Sequence, residues 1–166
     1  MELPKRKPNR LPFYDYDKEG AYFLTICTQD RKCLLSRIVG GGALDAPENQ
    51  LTDVGKIVEK YILSGNSMER ITVQSYVIMP NHIHIFLTVD MDQSGTSRAP
   101  SPTNAVIPRF VSALKRFCHR ELGEQIFQRS YHDHIIRNRQ DSLKILEYIK
   151  NNPKQWEEDC FYMKEE

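Results

Sequence analysis

The alternation of side chains over residues 82–89 constrains this chain more than any other feature. The segment Pro80-Asn81-His82-Ile83-His84-Ile85-Phe86-Leu87 has the pattern of a strand, in which successive side chains point to opposite faces. Ile83, Ile85, Leu87 and Val89 then share one face, and His82, His84 and Phe86 the other. The aliphatic row needs helices to cover it. The opposite face carries two imidazoles side by side. A second β-rich run, residues 71–79, meets the first at Met79-Pro80-Asn81 and is expected to lie next to it.

The remaining segments supply what such a pair of strands needs. Residues 21–28 (Ala-Tyr-Phe-Leu-Thr-Ile-Cys-Thr) are aromatic and β-branched and predict a strand. Glycines 40–42 mark a loop. Apolar residues at 51, 54, 57, 58, 61 and 62 have helical spacing, with Thr52 and Asp53 near the start. Residues 107–122 predict an amphipathic helix with Phe110, Val111, Leu114, Phe117 and Cys118 on one side. A short strand is expected at 133–137 and a helix at 141–150, stopped by Asn151-Asn152-Pro153. The order β-α-β-β-α-β plus a trailing helix predicts an α+β, ferredoxin-like split β-α-β sandwich: an antiparallel sheet with helices on one face and a C-terminal helix beyond it.

The 166 residues, 40% hydrophobic and 27% charged, suit one domain spanning 1–166. At that size a chain buries roughly 70% of its unfolded surface and folds without a metal or disulfide. A bound metal is then expected to be catalytic. Cys27, Cys33, Cys118 and Cys160 show no Cys-x-x-Cys spacing, which argues against a zinc knuckle or a secreted disulfide framework. No apolar run nears the ~20 residues of a membrane helix, and the basic, proline-interrupted start lacks the apolar stretch of a signal peptide. A cytoplasmic protein is expected.

Charge is unevenly placed. The arm 1–18 opens with Lys5, Arg6, Lys7 and Arg10 against Glu2. Residues 98–139 hold eight Arg and Lys against three acids, whereas 157–166 hold five acids against Lys164. Between them, residues 92–105 form a polar, proline-containing linker. The asymmetry permits a polyanionic partner, although solvated faces would leave the same pattern.

Two imidazoles on one strand face can converge on a divalent ion. A hydrogen-bonded pair of strand histidines fits the same spacing, as do zinc hydrolases, for which the sequence offers no recognisable acidic third ligand. On the trailing helix Tyr148 and Asn152 lie four apart and share a face, so a tyrosine nucleophile and a metal-directed amide oxygen are both available there. Tyr131 competes for that role from the polar run Ser130-Tyr131-His132-Asp133-His134.

Five ordered blocks run along nearly the whole chain. They are Arg10-Leu11-Pro12-x-Tyr14-Asp15-Tyr16; Gly20-Ala21-Tyr22-Phe23-Leu24-Thr25-Ile26-Cys27-Thr28; Val77-Ile78-Met79-Pro80-Asn81-His82-Ile83-His84; Phe127 to Asn138; and Tyr148-Ile149-Lys150-Asn151-Asn152-Pro153. In these blocks the chain resembles the REP-associated tyrosine transposases, within the HUH single-tyrosine transposase class of bacterial insertion sequences. The resemblance implies that His82 and His84 are the metal-binding histidines of the HUH motif. It further implies that Tyr148 is the catalytic tyrosine and Asn152 the third polar ligand, a place often taken by Gln in insertion-sequence relatives. His134 and Tyr131 become possible supporting residues.

The implied activity is a metal-dependent single-stranded DNA endonuclease and strand transferase. It would use Mg²⁺ or Mn²⁺ and pass through a 5′-phosphotyrosine that a second 3′-OH reseals. Such chemistry stores the energy of the broken bond, so it needs no ATP, and the chain has no Gly-x-x-x-x-Gly-Lys motif. The implied partner is single-stranded or hairpin DNA, met by a monomer or a homodimer. Contacts are expected from Lys5, Arg6, Lys7, Arg10, Lys115, Arg116, Arg120, Arg129 and Arg137, with aromatic rings stacking unpaired bases. The alternative is a hairpin-binding protein of the same fold that cuts nothing.

Overall fold

The computed structural model describes residues 18–40, 47–91 and 105–163. Outside them lie Lys5, Arg6, Lys7 and Arg10, the block from Arg10 to Tyr16, Gly41 and Gly42, linker residues 92–104, and the last three residues of the acidic tail.

The elements in chain order are β1 (Gly20–Cys27), β2 (Ser36–Val39), β3 (Glu48–Leu51), α1 (Asp53–Ser64), β4 (Ile71–Ile78), β5 (His82–Val89), α2 (Val106–Leu122), β6 (His132–Ile136) and α3 (Arg139–Asn151). A 3-10 segment, Asn152–Glu158, continues directly from α3. The main sheet has the order β4-β5-β1-β6 with antiparallel neighbours throughout. This is the expected ferredoxin-like arrangement. One element was not expected: β2 and β3 form a separate two-stranded sheet where the sequence marks only a glycine loop. Their four-residue strands, Ser-Arg-Ile-Val and Glu-Asn-Gln-Leu, are too short and too polar for an alternation to stand out.

Period-two patterning sorts the side chains as the sequence dictates. Tyr22, Leu24 and Ile26 of β1 and Ile83, Ile85, Leu87 and Val89 of β5 pack into one cluster with Val58 and Ile62 of α1 and Phe110, Val111 and Leu114 of α2. On the opposite face Val77, Phe86 and Ile136 meet Ile149 of α3, with Ile145 and Leu146 alongside. Strand β4 keeps its aliphatic residues inward despite an irregular sequence, because its register shifts between Val73 and Ser75. The extra residue, Gln74, restores the phase, so that Ile71 and Ile78 both enter the first cluster.

Local signals fix the helix starts. Thr52 Oγ1 accepts from Gly55 N at 3.0 Å and donates to the Leu34 carbonyl at 2.6 Å, capping α1 and tying it to the segment before β2. Gly55 is required there, since a Cβ would overlap the Leu35 carbonyl oxygen. Asn138 and Asp141 cap α3 reciprocally: Asp141 N donates to Asn138 Oδ1 at 2.8 Å, and Asn138 Nδ2 donates to Asp141 Oδ2 at 2.8 Å. Helix α3 therefore starts at a fixed point, and its rise places Tyr148 and Asn152 over the histidine face of the sheet.

Candidate active site

His82 and His84 are buried, with 0% and 2% of their surface exposed. Their side chains leave β5 on the face away from α1 and α2, and their Nε2 atoms stand 3.1 Å apart. Burial is the main reason both imidazoles are held neutral, with pKa values lowered to about 3; the charge of Arg31 adds to the effect at His82, and His82 adds to it at His84. Neutral rings keep lone pairs for a cation.

Helix α3 brings the nucleophile candidate to this pair. The Tyr148 hydroxyl lies 3.3 Å from His84 Nε2, and its ring meets the His84 ring edge-on at 5.2 Å between centroids. Phe23 of β1 stacks on His84 from another side at 5.0 Å. Burial, and secondarily the Asp159 carboxylate, push the Tyr148 hydroxyl up to about 12, so the phenol is protonated at neutral pH. One turn on, Asn152 caps α3 with its N–H on the Tyr148 carbonyl. It is 1% exposed, and its Oδ1 has no hydrogen-bond partner among the described residues. A buried carboxamide oxygen left without a donor is costly unless something else meets it. His82, His84, Tyr148 and Asn152, all singled out in the sequence, therefore meet in one corner.

Asp159 was not singled out in the sequence, where it is one of five acids in residues 157–166. After the 3-10 segment the chain turns back over the sheet, and the Asp159 side chain is 3% exposed, with Oδ2 3.9 Å from His82 Nε2. Asn152 Nδ2 donates to Asp159 Oδ2 at 3.1 Å, and Phe161 N donates to Asp159 Oδ1 at 2.7 Å. The Phe161 ring stands 4.6 Å from that of His82. The one local signal was Phe161, an aromatic residue two positions after Asp159 that packs on the His82 ring. His82, His84 and Asp159 each offer a potential ligand atom within 4.8 Å of the others, so an acidic side chain that could join the two imidazoles stands beside them. Two imidazole nitrogens and a carboxylate form a mixed N/O donor set that suits a divalent cation.

The other expected residues fall elsewhere. Tyr131 packs against the aliphatic cluster on the helix-covered side of the sheet, with the Lys115 ammonium 5.8 Å from its ring centre. The Lys115 Nζ donates to the carbonyls of Gln128, Arg129 and Ser130 at 2.7, 3.1 and 3.2 Å, so its donors are used within the chain. Arg116 and Arg120 are exposed, their guanidinium carbons 5.1 and 5.2 Å from the Phe117 ring centre. Arg129, Arg137 and His134 are exposed. His134 pairs with Phe23 in the sheet and so emerges on the histidine face. Among the described residues no helix is long and apolar enough to cross a membrane.

No family model matches the chain. An uncharacterized protein of Haemophilus influenzae (strain ATCC 51907 / DSM 11121 / KW20 / Rd) is 30% identical over 179 aligned positions, covering 95% of this chain and 93% of its own. Among solved structures, a REP-associated tyrosine transposase bound to a REP hairpin superposes with a TM-score of 0.58 at 20% identity, covering 92% of this chain and 73% of that one.

Proposed function

We propose that this chain, which belongs to one family with the uncharacterized Haemophilus influenzae protein and has the fold of the HUH transposases, is a metal-dependent enzyme that nicks and rejoins single-stranded DNA at hairpins through Tyr148. The observation that carries this reading is the 3.3 Å approach of the Tyr148 hydroxyl to the buried His82–His84 pair. A binding protein has no physical need for a phenol beside two neutral imidazoles and an acid. That the superposed transposase is bound to a REP hairpin supports the same class of nucleic acid here.

His82, His84 and Asp159 would hold Mg²⁺ or Mn²⁺, with the Asn152 amide oxygen as a further donor. Bound there, the cation supplies Lewis-acid charge to the non-bridging phosphate oxygens and to the departing 3′ oxygen. Tyr148 attacks phosphorus through its phenolic oxygen, giving a 5′-phosphotyrosine and a free 3′-OH, and a later 3′-OH reverses the step. Because burial favours the neutral phenol, Tyr148 must lose its proton as it attacks. Phe23, Trp156 and Phe161 line the surroundings of the imidazoles and limit water near the reacting phosphate.

The test is a labelled single-stranded hairpin oligonucleotide incubated with Mn²⁺ or Mg²⁺ and run on a denaturing gel. A protein–DNA adduct that requires both the metal and Tyr148 supports the reading. Binding without any adduct supports the hairpin-binding alternative.

A further inference from the structure

Strand β2 of the separate hairpin forms one wall of a cleft of about 1090 Å³. The opposite wall is the 3-10 segment after α3, with Trp156, and the returning chain, with Tyr162. Their two rings meet edge to face at 5.3 Å between centroids, and Tyr162 keeps 37% of its surface exposed. Ser36 of β2 lines the same cleft and is 1% exposed. Its Oγ has no hydrogen-bond partner among the described residues. A buried hydroxyl in that state is costly unless something in the cleft meets it.

The lining selects the chemistry of the occupant. Arg37 and Lys154 are matched by Glu157 and Glu158, so the cleft carries no net charge and does not suit a phosphate group. Two aromatic rings and an unused hydroxyl suit a flat, uncharged heterocycle with a polar edge, which is an unpaired nucleobase. Position then selects which base. Trp156 meets the imidazole pair through His82, at 6.0 Å between centroids, whereas Tyr148 meets it through His84. In phosphoryl transfer the attacking and leaving oxygens stand roughly in line. With Tyr148 attacking from the His84 end, the departing 3′ oxygen points towards the His82 end, beside which the cleft lies.

We propose that the cleft binds the nucleobase of the departing nucleotide, stacked on Trp156 and Tyr162 with its edge on the Ser36 hydroxyl. The inference rests on the reading of Tyr148 as a nucleophile acting on single-stranded DNA. As the bond from the Tyr148 oxygen to phosphorus forms, the bond from phosphorus to the 3′ oxygen breaks. The phenol gives one proton to solvent and the departing oxygen takes one from it. The freed 3′-OH end then has no covalent link to the protein. Held in the cleft, it stays beside the phosphotyrosine, so rejoining need not wait for a second encounter. Stacking supplies affinity for any base, and the hydroxyl supplies preference among them.

Trp156 is the sole tryptophan of the chain, so its emission reports on the cleft directly. The probe is the hairpin oligonucleotide of the adduct assay, with unpaired residues on both sides of the cut and a fluorescein label. It is titrated into the full chain with a chelator present, so that nothing is cut, and anisotropy follows binding separately. Binding should quench Trp156. An abasic residue immediately 5′ of the cut should remove the quench and weaken binding at least about fivefold, and Tyr162→Leu should weaken it by a similar factor. Ser36→Ala should keep the quench but lose about 2–10-fold of the preference among the four bases at that position. Its urea midpoint should not fall, because the hydroxyl has no partner to lose. Binding with unchanged emission overturns the proposal, as does a quench that survives every abasic replacement or responds only on the 3′ side of the cut. A hairpin that gives no adduct, or no anisotropy change, instead fails the nucleophile or DNA reading on which the assignment rests, and the assignment falls with it.

Discussion

Tyr148 and His84 are 64 positions apart in the chain, and the phenolic oxygen of one lies 3.3 Å from Nε2 of the other. Two unrelated devices produce this contact: the period-two alternation of β5 and the reciprocal Asn138–Asp141 cap that sets where α3 begins. Tyr148→Phe removes only the hydroxyl of a side chain that is 38% exposed. The variant should lose the covalent DNA adduct entirely while its unfolding free energy changes by about 1 kcal/mol or less. A denaturing gel beside a urea titration checks both halves. An adduct that persists would move the nucleophile elsewhere.

Asp159 and Asn152 should make separable contributions to cation binding. Asp159→Ala takes away a charged ligand candidate and should weaken Mn²⁺ binding at least about tenfold. Asn152→Ala takes away an orphaned amide oxygen and with it the donor to Asp159, so it should also weaken binding but leave the carboxylate available. Calorimetry on both variants, with the adduct assay under chelation, ranks the two. Equal affinity in Asp159→Ala and wild type would exclude the carboxylate as a ligand.

Lys115 and its basic neighbours on α2 should separate into stability and binding. Replacing Lys115 with Met removes the ammonium that three carbonyls share, and because two of these contacts are exposed and open to water the cost should be about 1 kcal/mol. Arg116→Ala and Arg120→Ala, on the exposed side, should alter stability by about 0.5 kcal/mol or less. If these arginines follow phosphates, each loss lowers the salt dependence of hairpin binding by about one counterion. Denaturant curves and salt titrations read the two effects independently.

Gly55→Ala should destabilise by about 1–3 kcal/mol through overlap with the Leu35 carbonyl, without altering metal affinity, because α1 lies on the far side of the sheet from His82. Urea unfolding together with Mn²⁺ calorimetry tests this. Lost metal binding in a folded Gly55→Ala protein would contradict the layer assignment.

Tyr76 gives a pH dependence of known sign. Its hydroxyl donates to Glu59 Oε1 at 2.9 Å, and burial, then that carboxylate, push its pKa up from 10.0 to about 12. A raised pKa means the folded state holds its proton after the unfolded state has released one. The contribution is fully present below pH 10 and fades as pH rises towards 12. Tyr76→Phe should therefore flatten the alkaline stability loss between those values, and denaturant midpoints at pH 9, 10 and 11 would reveal it.

The central sheet was legible because alternation is written directly into residues 82–89, and Thr52 and Asn151-Asn152-Pro153 announced helix ends. The four residues of the imidazole corner could be named from spacing and from resemblance. What stayed hidden has specific causes. Strands β2 and β3 pair with each other across only four residues, too few for a period to emerge. Gln74 breaks the alternation of β4, and only its register against β5 shows that it is a bulge. Asp159 looks solvated beside Glu157 and Glu158, since its burial depends on a reversal of the chain that no local pattern records.

Strand β5 contributes to two interiors at once, isoleucines to one and imidazoles to the other. A slip of one residue in its pairing would exchange the two sets, burying both histidines among aliphatic side chains and turning Ile83 and Ile85 towards Tyr148. Such a molecule would forfeit its main cluster. The same pairing step that lets the chain fold thus proofreads the imidazole pair, so that a molecule with the main sheet in register is one in which His82 and His84 are already side by side.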